Sequence, residues 1–285
     1  THFALVLSFK NITTDLETIL NSNMTGLEKL IQVHTITTNN HQNLVPIDIF
    51  LISRIMRESL LEGGEMLLIS NIISNIFKVP RSILKKSQES FGATDVLLHT
   101  VDENAKLVNE ADINQHNFSL IVKELQYSEL KGLIVHSCYN SLCSIEQLYE
   151  FIDVDNYVNN KTIAAILLFS ESLIWQIKSQ SKESRVIISM YYTNALFNEI
   201  GISRETTKVF GIVFPGLTDE SLNGTISIVY NTPYIHNDEQ CAYWKYHVDT
   251  DQGQWSKDMA GVHKSKMVAC NFSHATHFAL LLSDN

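Results

Sequence analysis

The chain has 285 residues, 45% of them hydrophobic, and carries 31 acidic residues against 21 lysines and arginines for a net charge of -10. That apolar content builds one large core or two linked smaller ones and excludes a disordered tail. The acidic balance excludes the basic footprint that a phosphate backbone demands, so no nucleic-acid partner is expected.

In chain order, the first third reads as helical. Thr14 with Glu17 has the spacing of a capping box, and Leu16, Leu20, Leu27 and Ile31 recur at helical intervals. Pro46 opens a second helix that places Ile49, Ile52, Ile55 and Met56 on one face. Gly63-Gly64 separates it from a third, lined by Met66, Ile69, Ile73, Ile76 and Phe77 and ended by Pro80. These stripes are core packing, and no cofactor is expected on them. From about Phe91 the pattern turns to short runs rich in β-branched and aromatic residues: 120–125, 133–136, 163–169, 186–192, 209–214, 225–230 and 276–283. Pro215-Gly216 and Asn223-Gly224 mark turns. The longest apolar run, 164–175, is interrupted by Ser170, Glu171 and Ser172 and does not read as a membrane span. The expectation is an α+β protein in which a helical subdomain, 11–90, packs on an antiparallel β-sandwich, 91–285.

Two features point to the secretory pathway. Six Asn-x-Ser/Thr sequons fall at Asn11, Asn23, Asn117, Asn160, Asn223 and Asn271. Four cysteines fall into pairs, Cys138 with Cys143 and Cys241 with Cys270. Neither pair has zinc-ligand spacing, and Asp249, Asp251 and Asp258 lack the spacing of a calcium loop, so no metal site is expected. No signal peptide opens the chain, which reads as a mature or excised piece.

The chemistry concentrates in the last 45 residues or so. Cys241-Ala-Tyr-Trp244 is followed by Trp255, Gly261, Cys270 and then by His274-Ala275-Thr276-His277-Phe278-Ala279-Leu280-Leu281-Leu282. A Cys241–Cys270 bridge closes a loop of about 30 residues and stabilises it by roughly 3–4 kcal/mol. Trp244 and Trp255 supply a small core on which it can pack. A histidine two residues before a threonine suits an acyl shift within the backbone. The imidazole takes the hydroxyl proton, and the neighbouring carbonyl of Ala275 is the electrophile.

With the cysteines, tryptophans and the apolar run taken together, residues 241–282 resemble a GPCR proteolysis site (GPS). The helical-then-β chain before them resembles the GAIN domain that carries such sites. The resemblance implies His274 as general base, Thr276 as nucleophile and Ala275 as donor of the scissile carbonyl. It implies the Cys241–Cys270 bridge with Trp244 and Trp255 packed on it. It further implies that residues from Thr276 onward form a tethered agonist whose Phe278, Leu281 and Leu282 enter a downstream seven-helix membrane domain. Cleavage is then a single turnover on the chain itself, with no external substrate and no cofactor. The cut piece would stay bound because the strands flanking the cut would share one sheet. Three departures from the family pattern stand out: Val262 and Phe272 stand where a second pair of cysteines is usual, Ala275 where leucine is usual, and a sequon sits at Asn271. These departures sustain a rival expectation, an uncleaved adhesive GAIN module in a tandem or polycystin-like surface protein.

Residues 1–8, Thr-His-Phe-Ala-Leu-Val-Leu-Ser, repeat residues 276–283 at seven of eight positions. The expectation is that residues 1–10 are a strand left by an upstream site of the same kind, with GAIN modules in tandem. The extracellular ligand is not legible.

Overall fold

The computed structural model describes residues 11–59, 65–138, 141–157, 160–180, 184–199, 206, 208–217, 222–231, 240–247, 252–257, 262–264 and 267–281. Several expectations therefore lie outside the described residues: the strand at 1–10, the Gly63-Gly64 break, the three aspartates of residues 249–258, and Leu282. The side chains of Cys138 and Cys143 lie outside them too.

The chain divides into two compact units. The first comprises Thr1–Leu107 with Ala195–Ile202 and Tyr246–Gln254. It holds α1 (Ile12–Leu20), α2 (Gly26–Asn40), α3 (Pro46–Glu58), α4 (Met66–Ile76), α5 (Arg81–Phe91) and α6 (Ala93–Leu107). As expected, Pro46 occupies the first turn of α3, and Ile49, Ile52, Ile55 and Met56 are fully buried. Asp48 closes the start of that helix by accepting from the Val45 amide at 2.9 Å.

The capping box predicted at Thr14 and Glu17 is not a helix start. Asn11 flanks the N-terminus of α1, and Thr14 lies inside the helix. The reciprocal cap is at Thr25 and Glu28, where the Thr25 amide donates to Glu28 Oε2 at 2.8 Å and Thr25 Oγ1 accepts from the Glu28 amide at 3.3 Å. The polar stretch 21–25 thus breaks the predicted stripe in two. Leu27 and Ile31 stay exposed while α2 buries Leu30, Val33 and Thr37. Pro80 flanks the start of α5 rather than simply ending α4.

The expected boundary near residue 90 falls inside the helical unit. Gly92, in the left-handed region at φ 65°, ends α5, and α6 follows at once instead of a strand. Gln88 joins the two helices: its side-chain oxygen accepts from the Thr94 amide at 2.9 Å, and its nitrogen donates to Asp95. The division between the units comes at Leu107 and Val108.

The second unit, Val108–Asn194, Ser203–Lys245 and Trp255–Asn285, is built on two antiparallel sheets. The strands of the chain, of which Tyr246–His247 and Gln252–Gln254 are counted in the first unit, are β1 (Ala111–Asn114), β2 (Phe118–Glu124), β3 (Gly132–Cys138), β4 (Ser141–Leu148), β5 (Ile163–Phe169), β6 (Arg185–Tyr191), β7 (Val209–Val213), β8 (Ile226–Asn231), β9 (Gln240–His247), β10 (Gln252–Ser256), β11 (Val262–Lys264), β12 (Met267–Phe272) and β13 (His277–Leu281). One sheet has the order β1-β2-β6-β7-β13-β9-β10 and the other β11-β12-β8-β5-β3-β4. Among the described residues, all seven predicted strand runs fall on strands, to within a residue or two at their ends. The apolar run 164–175, however, splits into β5 and a helix, α7 (Glu171–Gln180). Ser170 makes the break, its hydroxyl accepting from the Leu173 amide at 3.3 Å. Strand β6 spans Arg185–Tyr191, within one residue of the predicted run at either end.

Between the sheets lies one apolar cluster containing Ile188, Met190, Phe210, Ile212, Ile228, Phe272, Phe278 and Leu280. At β7 and β13 the other face of the seven-stranded sheet is buried as well, since every residue of these two strands is buried. Such strands read as unbroken apolar runs because no face needs polar residues.

Candidate functional site

His274, Ala275 and Thr276 form the bend that joins β12 to β13. The two strands do not share a sheet, contrary to the expectation. β12 pairs with β8 and β11, whereas β13 pairs with β7 and β9 in the opposite sheet. Adjacent strands most often form a hairpin, but here the connection crosses the sandwich. The bend is anchored at both ends. The Leu222 amide donates to the Ser273 carbonyl at 2.9 Å, and the Ile212 amide donates to the Thr276 carbonyl at 3.0 Å.

Each member of the triplet has a distinct environment. Ala275 is buried at 2% exposure within the apolar cluster between the sheets. Thr276 is half-buried, and its hydroxyl donates to the main-chain carbonyl of Trp244 at 2.8 Å. The His274 ring lies against Tyr243, with centroids 3.8 Å apart, and near Phe272 and Phe278 at 6.2 and 6.1 Å. An aromatic wall of this kind fixes the imidazole plane and keeps bulk water from one side of it.

β13 is clasped on both edges. His277 to Leu281 pair with Trp244 to Gln240 on β9, and His277 and Phe278 pair with Gly211 and Phe210 on β7. Phe278 points into the sandwich, its ring 4.3 Å from Phe272. His277 points to the other face and is 1% exposed. Its imidazole occupies the space left by Gly211, where a Cβ would come within 2.9 Å of the ring, and it meets the Tyr191 ring edge-on at 5.4 Å. Burial pushes the His277 pKa down to about 3, so the imidazole is neutral at physiological pH.

The Cys241–Cys270 bridge is present and fully buried, with Cα atoms 5.8 Å apart. It joins β9 to β12 and so ties one sheet to the other beside the bend. Trp244 and Trp255 pack together edge to face at 5.2 Å; along β9 Trp244 alternates with Cys241 and so faces away from the bridge. Phe272, which stands where a cysteine is usual, is fully buried against Phe278; the second bridge is replaced at that end by aromatic packing.

All six sequon asparagines lie among the described residues. Asn11, Asn23, Asn160, Asn223 and Asn271 are exposed and Asn117 is half-buried. Asn160 Oδ1 accepts from the Thr162 hydroxyl at 2.7 Å and from its amide at 3.1 Å, which presents the sequon as a turn. Among the described residues no helix is long and apolar enough to cross a membrane, and no group of three candidate metal ligands forms.

Sequence reasoning missed Gly211, Tyr243, His277 and the Trp244 carbonyl. The first three carry side-chain information that only the strand register brings together. The carbonyl has no sequence signature at all, but the recurrence of His277 as His2 in the repeat hinted at a constrained position.

A two-sheet sandwich with this bridge and this bend defines a module of recognisable class. The family described as "GPS: GAIN subdomain B" matches residues 129–285. The chain belongs to that family. The full extracellular region of zebrafish Gpr126/Adgrg6 has a similar fold, with a TM-score of 0.68 at 16% identity; the match covers 91% of this chain and 35% of that one. Among curated proteins nothing matches the chain.

Proposed function

We propose that the chain is the extracellular, self-cleaving module of an adhesion-GPCR-like surface protein, cut once between Ala275 and Thr276. The observation that carries this reading is the placement of the triplet. His274, Ala275 and Thr276 occupy a bend pinned at both ends, and the strand after it is held on both edges. Thr276 Oγ attacks the Ala275 carbonyl carbon while His274 accepts the hydroxyl proton. The carbon–nitrogen bond breaks, the amide nitrogen takes the proton, and an ester replaces the peptide. One water then hydrolyses the ester to the Ala275 carboxylate, leaving Thr276 as a free amino terminus. No cofactor is needed.

The piece that starts at Thr276 is held by its ladders to β7 and β9 and acts as a tethered agonist for a downstream seven-helix domain once pulled out. Main-chain hydrogen bonds on both edges, with five buried side chains, keep a short strand bound without a covalent link. The exposed sequons fit an extracellular location.

A specific observation favours the rival reading, an uncut adhesive module: the Thr276 hydroxyl proton is donated to the Trp244 carbonyl, and must swing away from it before a base can take it. Amino-terminal sequencing of the denatured chain separates the two. A second terminus reading Thr276-His277-Phe278, absent in Thr276→Ala, supports cleavage, and its absence from the unaltered chain refutes it.

A further inference from the structure

The octapeptide at residues 1–8 differs from residues 276–283 in a single position, Val6 in place of Leu281. The place that β13 occupies is selective at four repeated positions, 277–280. His277 fits because Gly211 has no side chain. Phe278 is fully buried 4.3 Å from Phe272. Ala279 faces Ala242, and both are fully buried, which leaves no room for a larger residue at either. Leu280 is fully buried in the sandwich cluster. The one difference falls at the last rung, where Leu281 faces Gln240 and is bridged to Thr206, and where valine is smaller by one methylene. A generic strand would need only apolar residues; a histidine matched to a glycine niche and an alanine matched to an alanine are beyond that.

We propose that the cleft between β7 and β9 is a strand-binding site with a second occupant, residues 1–8 of another copy of this chain, seated in the β13 register when β13 is out of place. The idea rests on the reading above in one respect, that residues from 276 onward can leave. Each copy carries two matching strands for one cleft. A copy that keeps its own β13 can therefore offer residues 1–8 to a neighbour that has lost its own, and the contact is head to tail.

The experiment empties the cleft by mutation, so it does not depend on whether the chain cuts itself; intact mass in denaturant reports cutting separately. Phe278→Asp puts a carboxylate at a fully buried position and keeps β13 from seating. Phe3→Asp disables the spare strand in the same way. The full-length chain is made as Phe3→Asp, as Phe278→Asp and as both. We expect Phe3→Asp to melt with the unaltered chain. Phe278→Asp should melt at least about 5 °C above the double variant and show a mass by light scattering that grows with concentration. Free peptide of sequence Thr-His-Phe-Ala-Leu-Val-Leu-Ser should restore the double variant, roughly fivefold less tightly than the 276–283 peptide; a scrambled peptide should not. Equal melting and equal mass for Phe278→Asp and the double variant would overturn the proposal. Rescue of Phe278→Asp as a monomer at every concentration would also overturn it, by assigning the cleft to the chain's own segment. If neither variant folds, the unaltered chain decides. Refolded with excess labelled octapeptide, it yields a one-to-one adduct by native mass spectrometry, and absence of the adduct overturns the proposal.

Discussion

Lowering the pH should loosen β13 through a single buried imidazole. His277 is 1% exposed and has its pKa pushed down to about 3 by burial, against 6.5 for the free side chain. Between those values the unfolded chain binds a proton that the folded chain refuses, so stability falls as pH falls. Above 6.5 both states are neutral and nothing is lost. At pH 5 the deficit is about 1.5 pH units, or roughly 2 kcal/mol, and the full shift corresponds to some 5 kcal/mol below about pH 3. The same arithmetic applies to strand release, because an imidazole that leaves its niche is hydrated. The released fraction should rise about 30-fold between pH 7.5 and pH 5. The assay is urea unfolding of the unaltered chain and of His277→Leu, a side chain of similar bulk that does not titrate. The stability difference between them should change by about 2 kcal/mol over that interval. A difference that stays constant from pH 7.5 to pH 5 would refute the reasoning.

Other consequences follow from the same geometry. Gly211→Val should destabilise by about 1–3 kcal/mol or more, since its side chain competes with His277 and Ser189 for one space; urea midpoints check it. Reducing the Cys241–Cys270 bridge, whose residues are 29 apart, should cost roughly 3–4 kcal/mol, seen as a lower melting temperature with dithiothreitol. Phe272→Ala should cost about 3–5 kcal/mol, because a fully buried ring packed on Phe278 is removed; an effect below 1 kcal/mol in urea unfolding would show that this packing does not replace the bridge.

The legible parts of the fold were those where one physical signal acted alone. Strands β5 and β7 sit in unbroken apolar runs, and α3 combines a proline start with a regular stripe. Helix α6 was obscured because Thr94, Val96, Thr100 and Val101 have β-branched side chains that suit a strand. Tertiary burial of Leu97, Leu98, Val101 and Ala105 overrides that preference. Strand β9 places Lys245 among its aromatics, β10 is mostly polar, and β12 mixes Cys270 and Asn271 into a short apolar run, so none of the three shows a clean alternation. The triplet His274, Ala275 and Thr276 was legible from spacing and resemblance, and so was the bridge. The crossing from one sheet to the other was not. Sequence distance carries no record of which sheet a strand joins, and only the pairing of β13 with β7 and β9 reveals it.

The account turns on whether the peptide at the pinned bend breaks. Intact mass of the purified, deglycosylated chain in denaturant tests this most directly. Two species are predicted, one beginning at Thr276, with masses that sum to the uncut chain plus one water, and Thr276→Val should collapse them to a single full-length mass. An unaltered chain that shows only the full-length mass contradicts the account.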